Sequence, residues 1–222
     1  MQIALLGGTG DIGEGLALRL GYDTNHELVI GSREAERART KAEEYLTELD
    51  SRGVEARIEG ADNATAAERA TVVVLAVPPY HVRDTVEAIA GGLGAGDVLV
   101  SPATGMKRDD EGFHYHRPSA GSVTRVASDA APEGVPVVGA FHNLPAGRLA
   151  DLDAELGIDT LLVADDADAK DIVWQVADGI EGVRPLDAGG IANAPEIEAV
   201  TPLLVNVARF NEGVHDAGVR FQ

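Results

Sequence analysis

The chain has 222 residues, 45% of them hydrophobic, which is enough to bury one large core. It contains no cysteine, which excludes a disulfide framework, a thiolate metal site and a cysteine nucleophile. With 37 acidic against 18 basic residues its formal net charge is -19, a field that repels phosphates and argues against a nucleic-acid partner.

Residues 2–6 are an apolar run ending in glycine, the pattern of a buried parallel strand. Residues 11–20 space Ile12, Leu16 and Leu20 by four, which is helical. A second strand follows at 27–30, then a charged helix at 34–51 with one apolar edge of Ala38, Ala42, Tyr45 and Leu49. Residues 54–58 alternate as a third strand, and 63–69 form a short helix. Thr71 to Val77 reads as the clearest core strand, stopped by Pro78-Pro79. A helix at 80–89 and a strand at 98–101 come next. Residues 102–118 carry turn formers and charge and read as a long loop, a length that is often functional. A helix at 119–130 and a strand at 135–141 close the alternation, which is that of a doubly wound parallel sheet.

After Pro145 the rhythm changes. Short apolar runs at 160–164 and 183–186 flank a helix at 167–180, and an apolar helix at 196–210 ends the pattern. The division expected is a dinucleotide-binding domain over 1–144 and a small C-terminal α/β unit over 145–222 that closes over it.

Only Lys41, Lys107 and Lys170 are lysines, and the acidic residues are dispersed rather than gathered in a tail. Dispersed charge reads as a solvated surface suited to a medium where salt screens it, such as a halophile's cytoplasm. The N-terminus has no basic n-region, and no window reaches the ~18 apolar residues of a membrane span. A soluble cytoplasmic protein with no membrane partner is expected.

Gly8-Thr9-Gly10-Asp11-Ile12-Gly13 matches G-x-G-x-x-G between a strand and a helix, the context this motif requires. Gly8 is expected to permit the tight turn, Gly10 the approach of backbone to a pyrophosphate, and Gly13 close helix packing. The helix N-terminus then offers free N–H groups and a positive dipole end. A plain glycine-rich turn is the competing reading.

The second strand discriminates between coenzymes. An NAD site carries Asp or Glu about 20 residues on, accepting from the ribose 2′-hydroxyl. Here the strand runs into Gly31-Ser32-Arg33, a hydroxyl and a guanidinium. Arg33 can bind a 2′-phosphate bidentately, Ser32 can donate to it, and Arg37 reaches the same place one helical turn later. NADP is therefore expected, unless Arg33 and Arg37 merely pair with Glu34 or Glu36. Pro78, at the carboxyl edge, is expected to line the nicotinamide ribose.

His114 and His116 lack a third metal ligand at a diagnostic spacing, and the Asp165-Asp166-Ala167-Asp168 run lacks the glycine and distal glutamate of a calcium loop. No metal site is expected, and the acidic run reads as a solvated helix start.

With these residues laid out, the chain resembles the archaeal NADPH-dependent reductases of the deazaflavin coenzyme F420. The likeness runs through Ala4–Gly10, Gly15–Leu20 and Gly31–Arg33. It continues at Gly112-Phe113 with Tyr115, and at His142 with Pro145-Ala146. Further on it covers Arg184-Pro185-Leu186-Asp187-Ala188-Gly189, Thr201-Pro202-Leu203-Leu204 with Asn206, and Arg209-Phe210-Asn211. The resemblance implies a Rossmann-type fold, a homodimer, and reversible hydride transfer between NADP(H) and F420, with the rings stacked between the two units. It places Thr9, Gly10, Asp11 and Ile12 on the pyrophosphate and Ser32, Arg33 and Arg37 on the 2′-phosphate. Ala146 falls near the nicotinamide, His142 against the deazaflavin, and Ala217 beside the same cleft; a histidine there can bond a ring carbonyl, and a core histidine satisfied by backbone is the competing reading. Pro79 stands where some relatives carry tryptophan. Hydride chemistry belongs to the coenzymes, so no obligatory general acid or base is expected. The alternatives are a reductase of an imine or small carbonyl, a non-catalytic NADP sensor, and a domain that hands hydride to a partner protein.

Overall fold

A computed structural model describes all residues, Met1–Gln222. In chain order the elements are β1 (Gln2–Leu6), α1 (Asp11–Asp23), β2 (Glu27–Ser32), α2 (Ala35–Ser51), β3 (Arg57–Asp62), α3 (Asn63–Glu68), β4 (Val72–Leu75), α4 (Val82–Ile89) and β5 (Val98–Ser101). There follow β6 (Met106–Asp109), β7 (Gly112–Tyr115), α5 (Val123–Ala130), β8 (Val137–Gly139), α6 (Ala146–Ala150), β9 (Ile158–Leu162), α7 (Ala167–Asp178), β10 (Val183–Asp187), α8 (Ala194–Glu198) and α9 (Val200–Phe210).

Six strands form one parallel sheet in the order β3-β2-β1-β4-β5-β8. Ile3 of β1 pairs with Leu28 of β2 on one side and Val72 of β4 on the other. The strand order reverses beside β1, so the carboxyl edge opens into a crevice there. Both faces of the sheet are covered, which is why β1 and β4 read as continuous apolar runs rather than alternations. Ile3, Leu5, Leu28 and Ile30 pack on one face with Leu16, Tyr45 and Leu49; Ala4, Leu6, Val73 and Leu75 pack on the other with Ala66, Val82 and Val86. Each large side chain fully buried in this way stabilises the fold by about 1.5–3 kcal/mol. The first of these cores continues through Leu149, Leu152, Ile158, Val173 and Val176. Strand β9 pairs in parallel with β10 and touches the edge strand β8, where Gly139 and Val163 exchange N–H···O bonds of 2.9 and 3.0 Å.

Several elements differ from their sequence expectation: the helix expected at 119–130 begins at Val123, and the strand expected at 135–141 spans Val137–Gly139. The third strand lies at Arg57–Asp62 rather than 54–58. Its Glu-Gly-Ala-Asp stretch has little β propensity, but α2 packs directly on it: a Cβ at Gly60 would stand 2.3 Å from the Ala38 carbonyl carbon. The expected loop at 102–118 contains the antiparallel hairpin β6–β7, with Met106 opposite Tyr115 and Asp109 opposite Gly112. Its turn is made by the Asp109 side chain, which accepts from the N–H groups of Glu111 and Gly112, and β6 is exposed throughout, so no alternation announces it. The terminal helix is divided in two at Ala199, and the short helix α6 was not expected.

Candidate active site

The glycine loop lies at the carboxyl end of β1. The left-handed residue of its turn is Gly7, at φ +77°, where a Cβ would stand 2.4 Å from the Ala76 carbonyl oxygen. Gly8 instead packs on Leu5, and its carbonyl accepts from the buried Tyr45 hydroxyl at 2.8 Å, which ties the loop to α2. Gly13 has no room for a side chain, since a Cβ would meet the Gly8 Cα at 2.5 Å. Gly10 is the N-cap of α1 with no side-chain cap, and the N–H groups of Asp11, Ile12 and Gly13 have no acceptor within the chain. This is the donor set that a pyrophosphate requires.

Beside it is a cavity of about 590 Å³ at the reversal point of the sheet. Its walls bring together Gly7, Thr9 and Gly10 after β1, Ser32, Arg33 and Arg37 from β2 and α2, Asn63, Val77 and Pro78, and Tyr80, His81 and Asp84 from the following turn and helix. Gly8, Asp11, Ile12, Gly13 and Pro79 lie outside that wall; Pro79 begins a 3-10 turn. Neither Arg33 nor Arg37 is ion-paired: Glu36 pairs with Arg39 at 3.2 Å, and both free guanidinium groups are exposed at the cavity. Ser32 Oγ accepts from the Glu34 N–H at 3.3 Å, which leaves its own hydrogen free. Asn63 Oδ1 is buried without a partner in the same wall, a position that no sequence signal singled out.

A second cavity, of about 310 Å³, is lined by His142, Asn143, Leu144, Pro145 and Ala146, by Thr201, Leu204, Val205 and Ala208 of α9, and by Asp216 and Ala217. His142, Ala146 and Ala217 therefore line one cavity. Phe141, just before them, is a buried aromatic at φ +67°, a conformation that costs about 1–3 kcal/mol and is characteristic of functional sites. The Thr160 hydroxyl accepts from its N–H at 3.1 Å. His142 is buried, which pushes its imidazole down to about 3, so the ring is neutral at ordinary pH. Its carbonyl accepts from the Thr201 hydroxyl at 2.7 Å, its Nε2 lies 3.3 Å from Thr124 Oγ1, and its Nδ1 has no partner in the chain.

The two cavities are held in fixed relation by α1. At Gly15 a Cβ would meet Leu149 Cβ at 2.6 Å, so α6 lies directly against α1. Arg19, buried in α1, donates to the carbonyls of Leu149, Arg148, Asp151 and Ala154, satisfying the end of α6 and the turn after it. The chain terminus is pinned too. Buried Asp159 takes a bidentate pair from Arg184 and the Phe221 N–H, which holds the segment carrying Ala217; the Arg184 guanidinium keeps that carboxyl below its usual range. Elsewhere, His114 Nε2 faces Asp109 Oδ1 at 3.0 Å across the hairpin turn, and Asp166 is the N-cap of α7.

A family profile described as "NADP oxidoreductase coenzyme F420-dependent" matches residues 2–105. The F420-dependent NADP reductase of Methanothermobacter marburgensis is 38% identical over 99% of this chain and 97% of its own. That of Methanocaldococcus jannaschii is 37% identical over 93% of this chain and 92% of its own. The chain belongs to this family. Among solved structures, a protein of Arthrobacter sp. FB24 proposed to be an F420-dependent NADP reductase superposes with a TM-score of 0.75 at 24% identity, covering 93% of each chain. A pyrroline-5-carboxylate reductase of Coxiella burnetii gives 0.55 at 21% identity, over 83% of this chain and 58% of its own. At those identities the structural likeness establishes the fold alone.

Val205, Thr124 and Glu198, at the second cavity and behind it, carry no local motif. Thr201, Leu204, Asn206 and Tyr115 fall in the blocks that gave the resemblance. Asn206 bonds both the N–H and the carbonyl of Phe113, at 2.8 and 2.7 Å, docking the hairpin on α9.

Proposed function

We propose that the protein is an oxidoreductase catalysing reversible hydride transfer between NADP(H) and coenzyme F420. The observation that carries the NADP half is the unpaired set of Ser32, Arg33 and Arg37 where an NAD site would carry a carboxylate. The free N–H groups of α1 fit a pyrophosphate, and His142, which lines the second cavity, keeps a buried Nδ1 without a partner in the chain. The coenzymes supply the hydride chemistry when bound; the protein supplies position and dryness. Thr9, Gly10, Asp11 and Ile12 hold the pyrophosphate, with Gly8 and Gly13 shaping the loop. Ser32, Arg33 and Arg37 hold the 2′-phosphate, and Pro78 and Pro79 wall the ribose side. Ala146 borders the nicotinamide, and His142 and Ala217 border the deazaflavin, beneath a C-terminal unit that begins at residue 145.

Mixing the protein with NADPH and oxidised F420 is expected to bleach the deazaflavin absorbance while NADP+ accumulates one for one. Turnover of imines or small carbonyls in its absence would overturn the assignment.

A homodimer fits the outward face of α9, where Leu203 and Phe210 are 60% and 62% exposed beside Val207. Sedimentation at micromolar concentration is expected to give twice the chain mass, and a monomer would refute it. No helix is long and apolar enough to cross a membrane. A cytoplasm of high ionic strength fits the net charge of -19, and loss of the fold on dialysis to low salt is the expected sign. Full stability there refutes the halophilic reading.

A further inference from the structure

Behind the second cavity, buried polar groups converge on one carboxylate. Glu198 of α8 is fully buried and accepts from four donors. These are the N–H groups of Val123 and Thr124 at 3.0 and 2.9 Å, the Tyr115 hydroxyl at 2.9 Å and the Thr124 hydroxyl at 3.0 Å. Each carboxylate oxygen faces one backbone N–H in the first turn of α5, and a backbone N–H cannot turn round to accept. Burial raises this carboxyl above its ordinary range and the four donors offset that only in part, but one backbone N–H on each oxygen keeps both oxygens turned toward donors.

The consequence reaches His142, a lining residue of the second cavity, in two steps. The Thr124 hydroxyl has one hydrogen, and Glu198 takes it. Only lone pairs then remain on Thr124 Oγ1 for His142 Nε2 at 3.3 Å. Two lone pairs do not bond, so Nε2 carries the ring proton. The imidazole is neutral, so Nδ1 has none.

We propose that Glu198, acting through Thr124, is a positioning residue that holds His142 in the Nε2–H tautomer, so that Nδ1 offers a lone pair to an N–H of the bound ring. An acceptor there repels a ring carbonyl and selects an imide N–H, such as a pyrimidinedione ring carries between its two carbonyls. This reverses the polarity of the carbonyl contact expected for His142 from the sequence. The ligand half rests on the oxidoreductase reading; the tautomer half does not.

Long-range proton–nitrogen correlation spectra of the full chain labelled with 15N-histidine test the tautomer at pH 7, with His142 assigned by loss of its signals in His142→Gln. The Nε2–H pattern is expected in the wild type and in Thr124→Ser, which keeps the hydroxyl. Thr124→Val, close in shape but without an acceptor, is expected to give a mixture of tautomers, as is Glu198→Gln if it folds. An Nδ1–H or doubly protonated ring in the wild type overturns the proposal, and so does an unchanged pattern in Thr124→Val.

The ligand half is read with 5-deazariboflavin added beside NADP+ and followed by absorbance. Binding is expected to shift the Nδ1 resonance while Nε2 keeps its proton, and the imide N-methylated probe is expected to bind about tenfold more weakly. Transfer of the ring proton to Nδ1, or equal binding of the methylated probe, overturns this half. If neither probe binds, the oxidoreductase reading fails and the tautomer result stands by itself.

Discussion

Arg33 and Arg37 stand in solvent with no carboxylate in reach, whereas His142, Thr124 and Glu198 are buried and joined to one another by hydrogen bonds. The first pair sits one helical turn apart on a continuous segment and has donors to spare. The second set spans 74 residues of sequence between Thr124 and Glu198 and has one lone pair to spare. On the proposed reading, the phosphate end would gain its selectivity from unused charge, and the ring end from exhausted hydrogen-bonding capacity. Changes at the first should alter affinity without touching the fold, and changes at the second should do both.

The largest effect is expected where the two ends are joined. Arg19→Leu strips the donor from the carbonyls of Leu149, Arg148, Asp151 and Ala154 in a buried site. A loss of about 3–5 kcal/mol is expected in denaturant unfolding at fixed high salt. If the variant keeps its stability but binds NADPH poorly, the wedge between α1 and α6 serves the phosphate end, and the contrast fails.

Acidification probes the ring end next. His142 is held well below its ordinary 6.5, at about 3, so between those pH values the unfolded chain binds a proton that the folded chain refuses. Stability must then fall as pH drops through that window, by about 1.4 kcal/mol per unit. Glu198 works in the opposite direction, because burial raises its carboxyl and protonation relieves it. The difference between the wild type and His142→Gln isolates the histidine. A flat difference across pH 4–6 would show that His142 is not sealed from solvent as the structure has it.

How much of this was legible depends on how far apart the partners lie. The glycine loop, β1, β4 and the Ser32-Arg33 tip are contiguous, and each carries its own local signal. Even there the turn glycine is Gly7 rather than Gly8, because the extra glycine hides which residue takes positive φ. The hairpin β6–β7 escapes because β6 buries nothing, and β3 is expected a few residues too early because contact with α2 rather than β propensity selects Gly60. His142, Ala146 and Ala217 were reached only through resemblance. Glu198 and Thr124 were not reached at all, since a buried Glu in an acidic chain looks like any surface Glu until its four donors are in view.

At the phosphate end, Arg33→Ala is expected to weaken NADPH binding about tenfold to a hundredfold, the worth of hydrogen bonds to a charged group, with the unfolding midpoint unchanged. Arg33→Asp should go further and favour NADH, because a carboxylate repels the 2′-phosphate and accepts from a free 2′-hydroxyl. Titration of both variants with both coenzymes checks this. An unchanged NADP preference in Arg33→Asp would remove Arg33 from the phosphate site.

The smallest effect separates the two arginines. Arg37 lies on the exposed side of α2, near the cationic Lys41, and would approach the proposed phosphate as a further charge in solvent. Arg37→Ala is therefore expected to cost about threefold in affinity at low salt, and less as salt rises and screens it. Arg33, close to Ser32 at the strand tip, can hold the phosphate through two aligned bonds, and its contribution should survive the same salt. Dissociation constants for both variants across a KCl series would show two slopes, steep for Arg37→Ala and shallow for Arg33→Ala. Equal slopes would mean that both arginines act only through their charge, and that the selectivity of the phosphate end rests on Ser32 and the missing carboxylate alone.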